Sequence, residues 1–116
     1  MQATQQAVLA IDQGTSSSRA MLFNQAGEVL AQAQQEISCQ FPSPGWVEQD
    51  GEQLWWSVLT VCRDVLQQAK LRKIQVLGIA ITNQRETTLV WHRASDTLVA
   101  PAIVWQDRRT QDFCQS

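Results

Sequence analysis

The chain predicts an α/β domain built on a mixed sheet, and three observations carry that expectation. Two short unbroken apolar runs, Ala7-Val8-Leu9-Ala10-Ile11 and Val76-Leu77-Gly78-Ile79-Ala80-Ile81, read as buried strands. Between them Leu54, Trp55, Val58, Val61, Cys62, Val65, Leu66 and Ala69 recur at helical spacing, the stripe of a helix that covers a sheet. The length, 116 residues, suits one core, since a chain of this size buries about two-thirds of its unfolded surface.

The first strand, residues 7–11, is continuously apolar and is expected to be covered on both faces. A hydroxyl-rich stretch, residues 14–18, leads to a second strand at 20–23, and Asn24-Gln25-Ala26-Gly27 supplies a turn whose glycine tolerates positive φ. The third strand, residues 29–37, has Gln32, Gln34, Gln35 and Glu36 on a polar side, as suits a sheet edge or one wet face. These three strands form an opening meander. Pro42-Ser43-Pro44-Gly45 then breaks regular structure, with Trp46 as a loop anchor.

Asp50 followed by Gln53 reads as an aspartate version of a capping box at the start of the helix, which spans about residues 51–69. Lys70, Arg72 and Lys73 complement the negative end of its dipole. The strand at 76–81 is expected to be buried and to end in Thr82-Asn83-Gln84-Arg85-Glu86. Residues 87–92 alternate like a further strand, 93–96 read as a turn, and 102–105 form a short strand opened by Pro101. From Asp107 onward a polar segment has the composition of a helix cut near its beginning.

Composition excludes several classes. Hydrophobic residues make up 44% and charged residues 17%, with the two signs interspersed, which argues against disorder. Nine basic against eleven acidic residues give a net charge of −2, so neither nucleic acid nor anionic lipid is an expected partner. The longest apolar run, Leu98 to Trp105, is interrupted by Pro101 and falls far short of the roughly 20 residues that span a bilayer, so no membrane insertion is expected. Residues 1–6 lack the positive charge of a secretory signal. Cys39, Cys62 and Cys114 lack the paired spacing of a zinc or redox site and read as free thiols in a reducing cytoplasm.

Between the first two strands lies Asp12-Gln13-Gly14-Thr15-Ser16-Ser17-Ser18-Arg19. Small residues let backbone N–H groups approach a phosphate, hydroxyls donate to it, and a guanidinium adds charge. Asp12, at a strand end, could orient a Mg²⁺ through the ion's own waters. The G-x-x-x-x-G-K-[ST] pattern of a P-loop is absent. From the residues alone, a phosphate turn and an ordinary polar hairpin both stay open.

The segment Ile11 to Arg19 resembles the first phosphate hairpin of the sugar kinases that share the actin and hexokinase ATPase fold. Ile81-Thr82-Asn83-Gln84-Arg85-Glu86-Thr87-Thr88 resembles the polyol-binding signature of the glycerol kinases within the FGGY carbohydrate kinase family. Pro44-Gly45-Trp46-Val47-Glu48 and the stretch from Pro101 to Thr110 are similar to further segments of that family. The resemblance runs from about Val8 to Thr110.

It implies a partial ribonuclease H-like (actin/hexokinase ATPase) domain, with residues 1–116 forming the N-terminal part of the first kinase domain and the C-terminal domain absent. The implied reaction is ATP-dependent phosphorylation of glycerol to sn-glycerol 3-phosphate by a parent enzyme that is cytoplasmic and a homo-oligomer, with ATP and Mg²⁺ as cofactors. Thr15, Ser16, Ser17 and Arg19 would hold phosphates and Asp12 the metal through water. Arg85 and Glu86 would bind the glycerol hydroxyls and Trp105 would line the pocket. A polyol site wants such a set: a cationic fork, a carboxylate acceptor and an apolar wall. On their own, Arg85-Glu86 also suit a solvated charged pair and Trp105 a core aromatic.

No carboxylate of this chain matches the family's catalytic base, which lies downstream, so the chain by itself is expected to be inactive. Trp55 and Trp56 are expected to pack in the core or on the helix surface, and His92 carries no role. Asp107-Arg108-Arg109 reads as a surface cluster or a pocket rim, with no role carried onto Asp107. The alternative functions are a related sugar or polyol kinase and a small non-catalytic binding protein.

Overall fold

The computed structural model describes residues 5–84, 87, 89–98, 100–104 and 106–109. Strands β1 (Gln5–Gln13), β2 (Ser17–Phe23) and β3 (Val29–Glu36) form the expected antiparallel meander. After β4 (Glu48–Gln49) comes α1 (Gly51–Leu71), and β5 (Ile74–Thr82) then returns to lie parallel to β1. The main sheet therefore has the order β3-β2-β1-β5 and is mixed. Two short ladders complete the described chain: β6 (Trp91–His92) with β7 (Thr97–Leu98), and β4 with β8 (Ala102–Ile103).

Burial alternates along the first two strands. Ala7, Leu9 and Ile11 of β1 and Ser18, Ala20 and Leu22 of β2 lie under α1, which contributes Val61, Val65 and Ala69 to the same core. Each fully buried Leu contributes about 1.5–3 kcal/mol of transfer free energy. The expectation that β1 is covered on both faces is corrected, because Val8 is exposed on the side away from the helix. A single helix covers a single face.

The same cause corrects β5. Its apolar run was expected to be buried, yet Leu77, Ile79 and Ile81 are exposed. β5 is an edge strand, and α1 packs chiefly on β2 and β3 at the other side of the sheet.

The turn after β2 is as expected, with Gly27 at φ 82° and the Asn24 side chain accepting from the Glu28 N–H at 2.9 Å. The helix begins where expected and runs two residues further. Asp50 caps it by accepting from the Glu52 N–H at 3.0 Å, but the capping box is not completed. Gln53 turns instead to Ser38.

Other boundaries also differ. β2 begins at Ser17 rather than residue 20, because Ser18 and Arg19 enter the ladder opposite Gln13 and Asp12. Among the described residues of 87–92 only Trp91–His92 is a strand; Leu89 packs against the small cluster of Ile37, Leu54 and Ala102. The turn at 93–96 is present, with Asp96 at φ 54°. β8 covers Ala102–Ile103, and its partner β4 lies in what read as loop. Residues 106–109 are not helical, and the remainder of the expected helix lies outside the described residues.

Candidate functional site

The site is assembled where the C-terminal ends of β1 and β5 meet. Asp12 is in register with Arg19 on β2 and with Thr82, the last residue of β5. The segment that begins at Gln84 thus leaves the sheet beside the hairpin of residues 14–16. This hairpin is tight: the Gly14 N–H donates to the Ser17 carbonyl at 2.9 Å. A Cβ on Gly14 would lie 3.2 Å from that carbonyl oxygen, so a side chain here would crowd the turn.

The carbonyls of the turn are committed to the protein. That of Thr15 accepts from Gln49 Nε2 at 2.5 Å, that of Ser16 from the Ile37 N–H at 2.8 Å, and that of Ser17 from Gly14. Carbonyl lone pairs repel anions, so drawing them inward suits a turn that meets phosphate. Ser16 is exposed at the tip, Ser17 and Arg19 are half-buried, and the Arg19 guanidinium donates to Gln34 Oε1 at 3.1 Å.

Ser18 serves the fold. Its hydroxyl is 2.7 Å from the Ser57 hydroxyl, and Ser57 itself donates to the Leu54 carbonyl at 2.7 Å. A carbonyl can only accept, so Ser18 is the donor in the buried pair. Replacing both serines with alanine is expected to cost less than the sum of the single replacements, because Ser57→Ala alone strands a buried donor worth about 1–3 kcal/mol. Urea midpoints of the three variants check this; additive losses would show that the pair is not coupled.

Gln84 is nearly enclosed, at 7% exposure, and its amide is fully used. Oε1 accepts from the hydroxyls of Thr15 at 3.4 Å and Thr87 at 3.2 Å. Nε2 donates to Gln49 Oε1 at 2.8 Å and Gln13 Oε1 at 3.4 Å. Gln49, with 0% exposure, also donates to Cys39 Sγ at 3.4 Å. Sequence reasoning missed this cluster. Glutamine has no charge to draw notice, and no local spacing announces a contact between β4 and the end of β5.

A second missed feature fixes β4. Asp107, whose side chain is 3% exposed, accepts from the Val47 N–H at 2.6 Å, the Arg109 N–H at 2.8 Å and the Arg109 guanidinium at 2.8–3.0 Å. Arg109 also pairs with Glu48 at 2.6 Å and lies over the Trp46 ring, 3.9 Å from its centroid. The reading of Asp107-Arg108-Arg109 as a surface cluster is corrected for Asp107, which is a buried acceptor. The hydrogen bonds from Arg109 hold its carboxyl down at about 2, against the opposing effect of burial. Trp46, expected to anchor the loop, is exposed and packs its ring against Arg109.

Arg85, Glu86 and Trp105 lie outside the described residues. Of the remaining tryptophans, Trp55 and Trp56 are on the helix surface and share a groove of about 760 Å³ with Trp91, Leu89 and Leu98. His92 is exposed and pairs with Ser95 at 3.1 Å. Cys39 and Cys62 are free thiols, and burial raises the pKa of Cys62; Cys114 is outside the described residues. Asp12 is exposed, and among the described residues no three His, Cys, Asp or Glu side chains gather to hold a metal ion. One exposed carboxylate fits a Mg²⁺ that keeps most of its waters.

Residues 7–116 match the FGGY family of carbohydrate kinases, N-terminal domain. The chain belongs to that family. It is 58% identical over 107 residues to glycerol kinase 1 of Pseudomonas aeruginosa, covering 92% of this chain and 22% of that protein. To the glycerol kinase of Ralstonia pickettii it is 56% identical over 109 residues, or 94% of this chain and 22% of the relative. Among solved structures, Plasmodium falciparum glycerol kinase with ADP superposes with a TM-score of 0.92 at 24% identity, over 99% of this chain and 23% of that one. A xylulose kinase from Rhodospirillum rubrum gives 0.84 at 26% identity, over 91% and 22%.

The FGGY chain described here therefore spans 22% of the length of these curated relatives. Its mixed sheet and packed helix are the fold of the actin and hexokinase-like sugar kinases. No helix among the described residues is long and apolar enough to cross a membrane.

Proposed function

We propose that the full-length protein carrying this chain transfers the γ-phosphoryl group of ATP to a terminal hydroxyl of glycerol, giving sn-glycerol 3-phosphate. The observation that carries the reading is the register of Asp12 with both Arg19 and Thr82, beside the start of the Thr82-to-Thr88 segment. Identity of 58% to a glycerol kinase favours glycerol within the family.

In this reading the hairpin residues Thr15, Ser16 and Ser17 hold phosphate oxygens with backbone N–H groups and hydroxyls, and Arg19 adds charge. Arg19 would exchange its bond to Gln34 for one to phosphate. Asp12 would orient Mg²⁺ through water, and the ion, when bound, neutralises charge on the phosphates. Arg85 spans neighbouring glycerol hydroxyls, Glu86 accepts from one, and Trp105 walls the carbon chain. Phosphoryl transfer needs in-line placement and removal of the hydroxyl proton; no carboxylate of this chain matches the family's base, so that role is assigned to the rest of the full-length protein.

The test is glycerol-dependent ADP release by the full-length protein, with the product identified by its oxidation by a dehydrogenase specific for sn-glycerol 3-phosphate. Formation of sn-glycerol 3-phosphate is the expected result, and its absence would end the reading. The 116-residue chain assayed alone is expected to release no ADP in response to glycerol. Turnover by that chain would show that the base lies within it.

A further inference from the structure

The buried amides of Gln84 and Gln49 both contact the phosphate hairpin, and Gln84 is also the sequence neighbour of the polyol segment. Gln84 immediately precedes Arg85 in the chain and accepts from Thr15 of the phosphate hairpin. Gln49 holds the carbonyl of that same Thr15 and donates nothing to Gln84; it receives the Gln84 amide proton at 2.8 Å. The hairpin, β4 and the residue that follows the end of β5 thus share a connected set of hydrogen bonds.

The two buried amides are satisfied in one orientation only. If the Gln84 amide were turned over, its NH₂ would face two hydroxyls and its oxygen would face Gln49 Oε1 and Gln13 Oε1, oxygen against oxygen. With Gln49 at 0% and Gln84 at 7% exposure, water has little access to repair a broken member. Buried networks of this kind permit few arrangements, so a shift at one end is carried to the other.

We propose that Gln49 and Gln84 are positioning residues that couple nucleotide at the phosphate hairpin to polyol at the Arg85-Glu86 segment. A phosphate that draws the Thr15 hydroxyl or its backbone toward itself changes what Gln84 Oε1 accepts. The responding amide belongs to the residue one peptide bond before Arg85. By reciprocity, polyol binding settles the hairpin for nucleotide. Neither glutamine touches substrate in this scheme; both act through their neighbours. The inference rests on the proposed glycerol kinase activity.

The experiment measures the glycerol Kd of the full-length protein with and without a non-hydrolysable ATP analogue. In the unaltered protein the analogue is expected to tighten glycerol about 5-fold or more, the lower range of ordinary coupling. In Gln84→Met and Gln49→Met, which keep length and lose the amide, that ratio is expected to fall to about 1, and the double variant is expected to be no worse than either single one. Gln84→Asn and Gln49→Asn keep polarity but shorten the reach. They give a second, more soluble pair with the same expected loss.

A variant that merely weakens the fold would lower Tm and leave the ratio intact. An unchanged ratio in either folded variant, or no ratio in the unaltered protein, would overturn the proposal. Failure of the underlying activity is separate, since the unaltered protein would then form no glycerol phosphate at all.

Discussion

Replacing Arg85 with alanine in the full-length protein is expected to lower kcat/KM for glycerol about 100-fold, or about 2.7 kcal/mol of transition-state stabilisation. Each charge-assisted hydrogen bond is worth about 1.5–3 kcal/mol, and a guanidinium that spans two hydroxyls makes two of them. KM for ATP should stay within about 2-fold, because the role assigned to Arg85 concerns uniform and transition-state binding of the polyol only. Arg85→Lys keeps the charge but loses the planar fork, so an intermediate loss is expected. Steady-state kinetics with glycerol varied at saturating ATP, and with ATP varied at saturating glycerol, make the measurement. Equal losses for both substrates would move Arg85 from the polyol to the nucleotide or to the fold.

Asp107→Ala is expected to have the largest effect on stability, a loss of about 1–3 kcal/mol, the cost of leaving the buried Val47 N–H without its acceptor. The cause is specific. Without the carboxylate, the Val47 N–H loses its acceptor and the Arg109 guanidinium keeps only Glu48 and the Trp46 ring. Because Val47 leads into β4, and β4 carries Gln49, the loosening should reach the phosphate hairpin as well. Denaturant unfolding gives the loss, and hydrogen exchange at residues 47–49 locates it. A cost below about 1 kcal/mol would mean that the ladder of β4 with β8 holds without the clamp.

The same carboxylate sets a pH dependence. Its folded pKa, lowered to about 2, lies below the ordinary value of about 3.9 in an unfolded chain. Protonation then favours the unfolded chain, so the contribution is fully present above about pH 4 and is lost as pH falls toward 2. The difference in Tm between the unaltered protein and Asp107→Asn should therefore narrow across that window. A constant difference would show that the bonds, not the charge, carry the effect.

How much of this was legible depends on the range of the interaction. The meander and α1 follow from local pattern: Ala7 to Ile11, the Asn24-to-Gly27 turn and the stripe from Leu54 to Ala69 each state their element in a few residues. Burial was less legible. The apolar runs of β1 and β5 have the composition of strands covered on both faces, and α1 covers only one face of β1 and little of β5.

The hairpin at 14–16 was legible from Gly14 and its hydroxyl neighbours, although Ser18 proved to be a donor to Ser57 within the core. The bond from Gln84 to Gln49 was not legible, because it joins residues 35 apart through a neutral amide that carries no periodic signal. Asp107 was read with its charged neighbours as part of a surface cluster or a pocket rim. What encloses its side chain is the return of β8 against β4, a pairing whose two-residue ladder is too short to leave an alternation.

Glycerol, xylulose and gluconate offered separately to the full-length protein, with ADP release followed for each, provide the most direct test of the polyol assignment. The expected result is a kcat/KM for glycerol at least about 10-fold above the other two, since a site that hydrogen-bonds particular hydroxyls discriminates by that much or more. Equal rates with all three, or a preference for xylulose or gluconate, would contradict it.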